Sequence, residues 1–163
     1  MIKHIKFFTF SLLVAIAMAH LEVQIEGSGG WAANLPTWKI STINIFGLVG
    51  YNEKPITGYH VYLWLFSFLL THTAFIFNKW SIKKEFTLLS FYVFFTTFEG
   101  VIWFIINPEF GLTKFLNGNI SWYTEPFFLY LPIEYWVRFA IGIFLYKLSL
   151  NDQEYKFAKF SKS

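Results

Sequence analysis

The chain carries ionisable residues where apolar runs should exclude them. His20 and Glu22 lie late in the first run, His60 opens the second, Glu99 sits late in the third, and Glu134 and Arg138 lie in the last; Glu26 follows the first run, and His72 lies deep in the second. Inside a bilayer each such group costs at least a few kcal/mol, so each calls for a partner or a function. At 1.5 Å per helical residue, Glu99 is roughly 20 Å along its run, His20 is similarly far along its own, and Glu134 is about 10 Å from the start of its run, which is the outer end. They converge on one depth. His72, about 18 Å from His60, does not join them.

Imidazoles and carboxylates at one depth make a mixed nitrogen and oxygen donor set. His20, Glu22, Glu26, His60 and Glu99 are therefore the candidate ligands of a divalent transition metal, with Zn, Fe, Mn or Cu all suited to that chemistry. Glu99, flanked by Phe98 and Gly100, is the candidate catalytic group, because a lone carboxylate in such surroundings must bind a cation or a donor. Glu134 and Arg138, spaced i to i+4, are expected to form a structural ion pair, although Arg138 could instead neutralise Glu99.

Several chemistries are excluded. There is no Cys, so disulfides, thiolate metal sites and cysteine nucleophiles are absent. Asp152 is the only aspartate, which rules out Asp-rich magnesium motifs. The four histidines show no H-x-x-x-H or H-E-x-x-H spacing, no G-x-S-x-G occurs, and Gly27-Ser28-Gly29-Gly30 lacks the Lys and strand of a phosphate loop. The net charge of +3 is better explained by topology and anionic lipid than by nucleic acid.

The elements that must hold these residues follow from composition. With 163 residues, 55% hydrophobic, 23% aromatic and 14% charged, the chain cannot cover itself with polar side chains as a soluble domain would. Mean hydropathy is +0.46. Four apolar segments, 5–24, 59–77, 86–106 and 127–148, have the length that crosses a hydrocarbon core of about 30 Å. Lys3, Lys6, Lys79, Lys83, Lys84, Lys147, Lys156, Lys159 and Lys162 then share one side, against Lys39, Lys54 and Lys114 on the other. The Lys-rich side is expected to be cytoplasmic, with both termini there. Trp31, Trp38 and Trp122 are expected in an outer aromatic belt and Trp80 in an inner one, with a short interfacial element near Ile40–Val49 and a surface tail over 151–163. Asn119-Ile120-Ser121 matches a glycosylation acceptor on the outer side.

Helical phase sharpens two of the spans. Tyr92, Thr96, Glu99, Gly100, Trp103 and Asn107 keep to one face of the third, and His60, Trp64, Ser67, Thr71 and Asn78 to one face of the second. Such stripes turn inward, because lipid cannot satisfy them. Asn107-Pro108 should end the third helix and Gly111 permit a turn, folding the outer loop back over Glu99. Pro132 is expected to kink the fourth helix from within.

Residues 1–19 also fit a secretory signal, with a basic start and Ala17-Met18-Ala19 as a cleavage site. Cutting there would leave three spans, put the N-terminus outside, and make His20 terminal, offering one copper ion an amine and a ring nitrogen. The fold expected is an all-α, polytopic transmembrane helix bundle forming one integral membrane domain over 1–163, with a Trp-rich extracytoplasmic loop. Its expected function is a polar, metal-binding pocket in the outer leaflet, in the manner of a membrane metalloenzyme. The alternative is a non-catalytic accessory subunit whose intramembrane charges dock a membrane-protein partner or a second copy. A proton or ion pathway ranks last, because few polar groups continue toward the cytoplasmic side.

Overall fold

A computed structural model describes residues 2–40, 55–118, 120 and 127–150. It is mostly helical. Among the described residues the helices are α1 (Ile2–Glu26), α2 (Gly58–His72), α3 (Ala74–Phe77), α4 (Ile82–Ile106), α5 (Gly111–Leu116) and α6 (Ile133–Leu150), with a 3-10 turn at Gly27–Gly29. Two small antiparallel pairs complete it: β1 (Lys39–Ile40) with β2 (Ile56–Thr57), and β3 (Phe127–Phe128) with β4 (Leu131–Pro132).

Three helical stretches are long and apolar enough to cross a membrane: Lys3–Glu26, Gly58–Phe77 and Ile82–Ile106. The helix α6 is not among them, since Glu134, Arg138 and Lys147 fall within its 18 residues. Capping sets the starts of two helices. The Thr57 hydroxyl accepts from the His60 amide at 3.3 Å ahead of α2, and the Ser81 hydroxyl accepts from the Lys84 amide at 3.3 Å ahead of α4.

The region expected to open the fourth span is not helical. The chain enters as β3, reverses at Leu129 and Tyr130 (φ +46° and +67°) and returns as β4, so Pro132 ends the hairpin just before α6 instead of kinking a helix. Apolarity alone does not distinguish Phe127-Phe128 from the first turn of a span; the hairpin turn does. The expected element at 40–49, Trp122, the Asn119-Ile120-Ser121 acceptor and the tail over 151–163 lie largely or wholly outside the described residues.

The helix α4 is central, packing along most of its length against α1 and against α6. Close approach to α6 depends on two glycines. A Cβ at Gly142 would come within 3.1 Å of the Phe94 ring, and one at Gly100 within 2.7 Å of the Tyr135 hydroxyl. Ser90 adds a hydrogen bond from its hydroxyl to the Gly142 carbonyl at 2.9 Å. By contrast α2 meets α4 only over a short stretch, pinned by the Tyr92 hydroxyl donating to the Trp64 carbonyl at 3.0 Å. A buried cluster of Ala19, Trp103, Phe104, Phe115, Ile120 and Tyr135 closes one end, with Phe104 and Phe115 stacked at 4.3 Å. Outward faces carry large apolar side chains such as Leu13, Phe66, Leu69 and Phe144.

Candidate functional site

Because the helices alternate in direction, the end of α1, the start of α2, the end of α4 and the start of α6 come to one end of the molecule. There they enclose a cavity of about 70 Å³ whose lining includes Glu22, Glu26, His60, Glu99, Glu134 and Arg138. Trp31, Trp64, Trp103 and Tyr135 supply aromatic walls.

Each acid arrives there for a local reason. Glu22 and Glu26 are four residues apart and so share one face of α1, and they are only 7% and 5% exposed. Ordinary solvated carboxylates would be expected at a helix end; these are buried because the chain after α1 folds back over them. His20 is exposed and outside the cavity. Two residues turn a helix by about 200°, so His20 and Glu22 face opposite ways, and the expected five-ligand set loses this member.

His60 is 2% exposed and held from both sides. Its Nδ1 lies 2.7 Å from the Thr57 hydroxyl and its Nε2 3.3 Å from Glu26 Oε1. The Nε2 contact with Glu26 is at ion-pair distance, while Nδ1 and the Thr57 hydroxyl share a hydrogen bond whose direction follows the tautomer of the ring. The same Glu26 oxygen accepts the Ala32 amide at 2.9 Å. Above the imidazole, Trp31 stacks at 4.1 Å and donates its indole N–H to the Pro55 carbonyl at 2.7 Å. Trp31 and Ala32 both have positive φ, +46° and +52°, a conformation that costs non-glycine residues about 1–2 kcal/mol each. Gly30, also at positive φ, lies so close to Trp103 that a Cβ would come within 2.7 Å of its ring.

Glu99 faces Glu22 closely enough for their carboxyl groups to interact directly. Its Oε1 is buried and has no hydrogen-bond partner among the described residues, and the same holds for the Tyr59 hydroxyl, which lies near Glu22, Glu26 and Glu99. A buried polar atom without a partner costs about 1–3 kcal/mol. Glu134, 7% exposed, is 3.8 Å from Arg138, the i to i+4 pair expected.

The stripe on α4 holds: Thr96, Glu99, Gly100 and Trp103 line the cavity. Asn107, 1% exposed, ends the helix, accepts the Glu109 and Phe110 amides at 3.0 and 3.4 Å, and donates to the Gly27 carbonyl at 3.4 Å. Gly111 follows at φ +67°, and the returning loop sets Phe110 against Trp103 at 5.2 Å. On α2 only His60 and Trp64 reach the cavity; Ser67 and Thr71 lie farther along, and Asn78 is exposed. His72 belongs to the other end, where Nε2 meets Glu85 at 2.9 Å and Nδ1 the Phe68 carbonyl at 2.8 Å. Trp80 is exposed there and donates to Glu85 at 2.8 Å.

Among the described residues no three His, Asp or Glu side chains are arranged to hold one metal ion. His60 would have to give up Thr57 or Glu26 to become a ligand. Thr57, Trp31, Tyr59 and Tyr135 are parts of the site that spacing did not single out; Thr57-x-x-His60 ahead of an apolar run, a helix start with a histidine in the capping position's reach, was the readable signal. No family model, curated protein or solved structure matches the chain.

Proposed function

We propose that this is an integral membrane protein of four spans, with its Lys-rich side cytoplasmic, whose acidic chamber in the outer leaflet receives a ligand bearing positive charge or hydrogen-bond donors. Glu22 and Glu99 receive it. The observation that carries this reading is the unpartnered, buried Glu99 Oε1 beside a second carboxyl group, in a cavity whose other acids are already engaged: Glu26 by His60 and Ala32, Glu134 by Arg138. Carboxyl groups gathered at low dielectric relieve their mutual repulsion by sharing a proton or by taking a cation or donor from a ligand in its place. Aromatic walls favour an ammonium group further, through cation–π attraction. Two facing carboxyl groups also form an acid–base pair, and if chemistry follows binding, Glu99 is its base.

Trp31, Trp64 and Trp103 provide the readout, since all three line the cavity. Titrating the purified protein with ethylammonium is expected to give a saturable change in tryptophan fluorescence that Glu99→Gln shifts to at least about tenfold higher concentration and that acetate does not produce. No saturable response to ethylammonium would overturn the reading. A divalent metal ion is the second reading: the carboxylate oxygens of Glu22, Glu26 and Glu99 suit one chemically, but they would have to close around it, since among the described residues no three such side chains are arranged to hold one ion. It requires stoichiometric metal in the purified protein, lost on Glu99→Gln and reduced by His60→Ala. The accessory-subunit reading is less well supported, because Glu134 spends its charge on Arg138 within the same helix. Co-purification of a membrane partner, lost on Arg138→Leu, would favour it.

A further inference from the structure

Below the chamber the loose seating of α2 leaves a groove of about 750 Å³ between α1 and α2, floored by α4. Groove and chamber share no lining residue but follow the same helix faces: Met18, Leu63 and Phe95 line the groove, and Glu22, His60 and Glu99, one turn away on those faces, line the chamber. Along α1 it runs from Phe7 to Leu21, about 21 Å of a hydrocarbon core of about 30 Å. Its hydroxyls have their protons engaged and keep only acceptor lone pairs. Those of Ser67, Thr71, Thr73 and Thr87 all donate to carbonyls of their own helices, at 2.7 to 2.9 Å. What remains is an apolar channel ending at carboxylates.

We infer that the ligand is a long-chain amphiphile, its aliphatic tail lying in the groove between α1 and α2 and its ammonium head reaching Glu22 and Glu99. This rests on the chamber reading above and adds the tail. Charge selects the head: Glu22, Glu26, Glu99 and Glu134 face one guanidinium and one imidazole, so a phosphate or carboxylate head would meet net repulsion. Burial of apolar surface selects the tail, because each methylene moved from detergent-accessible to protein-enclosed surroundings adds packing contacts along a continuous wall.

The test uses the full chain in a polyoxyethylene detergent, with hexadecylamine and hexadecanoate followed by native mass spectrometry and ethylammonium followed by tryptophan fluorescence. Hexadecylamine is expected to bind at least about tenfold more tightly than ethylammonium, from the packing contacts of its tail along the groove. Hexadecanoate is expected not to bind. Ala17→Trp fills the groove away from the chamber and should remove the long-chain advantage while the ethylammonium response stays unchanged; Ser67→Phe does the same from the opposite wall, and the ethylammonium response certifies that either variant is folded. Hexadecylamine binding undiminished in both variants would overturn the groove assignment while the chamber reading stands. Equal binding of hexadecanoate would overturn the head assignment, and a co-purified protein helix displaced by either variant would identify a different occupant. Failure of ethylammonium itself, in the unaltered protein, would remove both readings together.

Discussion

Glu22, Glu26 and Glu99 do different work although all three are carboxylates in one cavity. Glu26 is structural, since its Oε1 holds both the Ala32 amide and the His60 ring. Glu26→Ala leaves the buried Ala32 amide without its acceptor and the buried His60 ring without its acidic neighbour, and is expected to lower stability by about 1–3 kcal/mol, measured as a shift in the thermal unfolding midpoint. Glu99→Gln runs the other way. It keeps the shape of the side chain and removes one of several like charges, so the fold is expected to become as stable or more stable while ethylammonium binding weakens by about tenfold or more. A fall in unfolding temperature with binding intact would show Glu99 to be a scaffold residue. His20 marks what single residues cannot reveal: depth alone grouped it with Glu22, and the turn of about 200° between them separates the two.

At the scale of elements, what the sequence made legible was whatever its period encodes. The α4 stripe was readable because Thr96, Glu99, Gly100 and Trp103 repeat with the helix, and Asn107-Pro108 marked its end. The hairpin at 127–132 was not, because Leu129 and Tyr130 adopt positive φ with no Gly or Asn to announce it. Nor was the burial of Glu22 and Glu26, which depends on the return of the chain through Gly30, Trp31 and Ala32, a tertiary event with no periodic signature. Two element-scale predictions follow from close contacts. Gly142→Leu should overpack the α4–α6 seam against Phe94 and cost about 1–3 kcal/mol, seen as a lower unfolding midpoint. Asn107→Ala should cost about 1–3 kcal/mol by freeing the Glu109 and Phe110 amides, and should loosen the loop that brings Phe110 onto Trp103. A quenched tryptophan spectrum that becomes more solvent-exposed in Asn107→Ala would report that loosening.

For the whole molecule, alternating helices bring the buried carboxyl groups to one end and most of the described lysines to the other. The absence of native cysteine makes that arrangement measurable without background. In intact cells a membrane-impermeant maleimide is expected to label Lys39→Cys, and to label Lys84→Cys only after permeabilisation. The reverse pattern would turn the chamber toward the cytoplasm and change which leaflet supplies its ligand.

Convergence of Glu22 and Glu99 in one chamber underlies every functional statement above, and engineered cysteines test it directly. Glu22→Cys combined with Glu99→Cys, in a chain carrying a protease site between α1 and α2, is predicted to be bridged in membranes by a short bis-methanethiosulfonate reagent that spans the gap left by the two glutamate side chains, so that the two cleaved fragments stay joined until reductant is added. His20→Cys with Glu99→Cys, treated identically, is predicted to fall apart. Fragments that separate in the first pair, or stay joined equally in the second, would contradict the account.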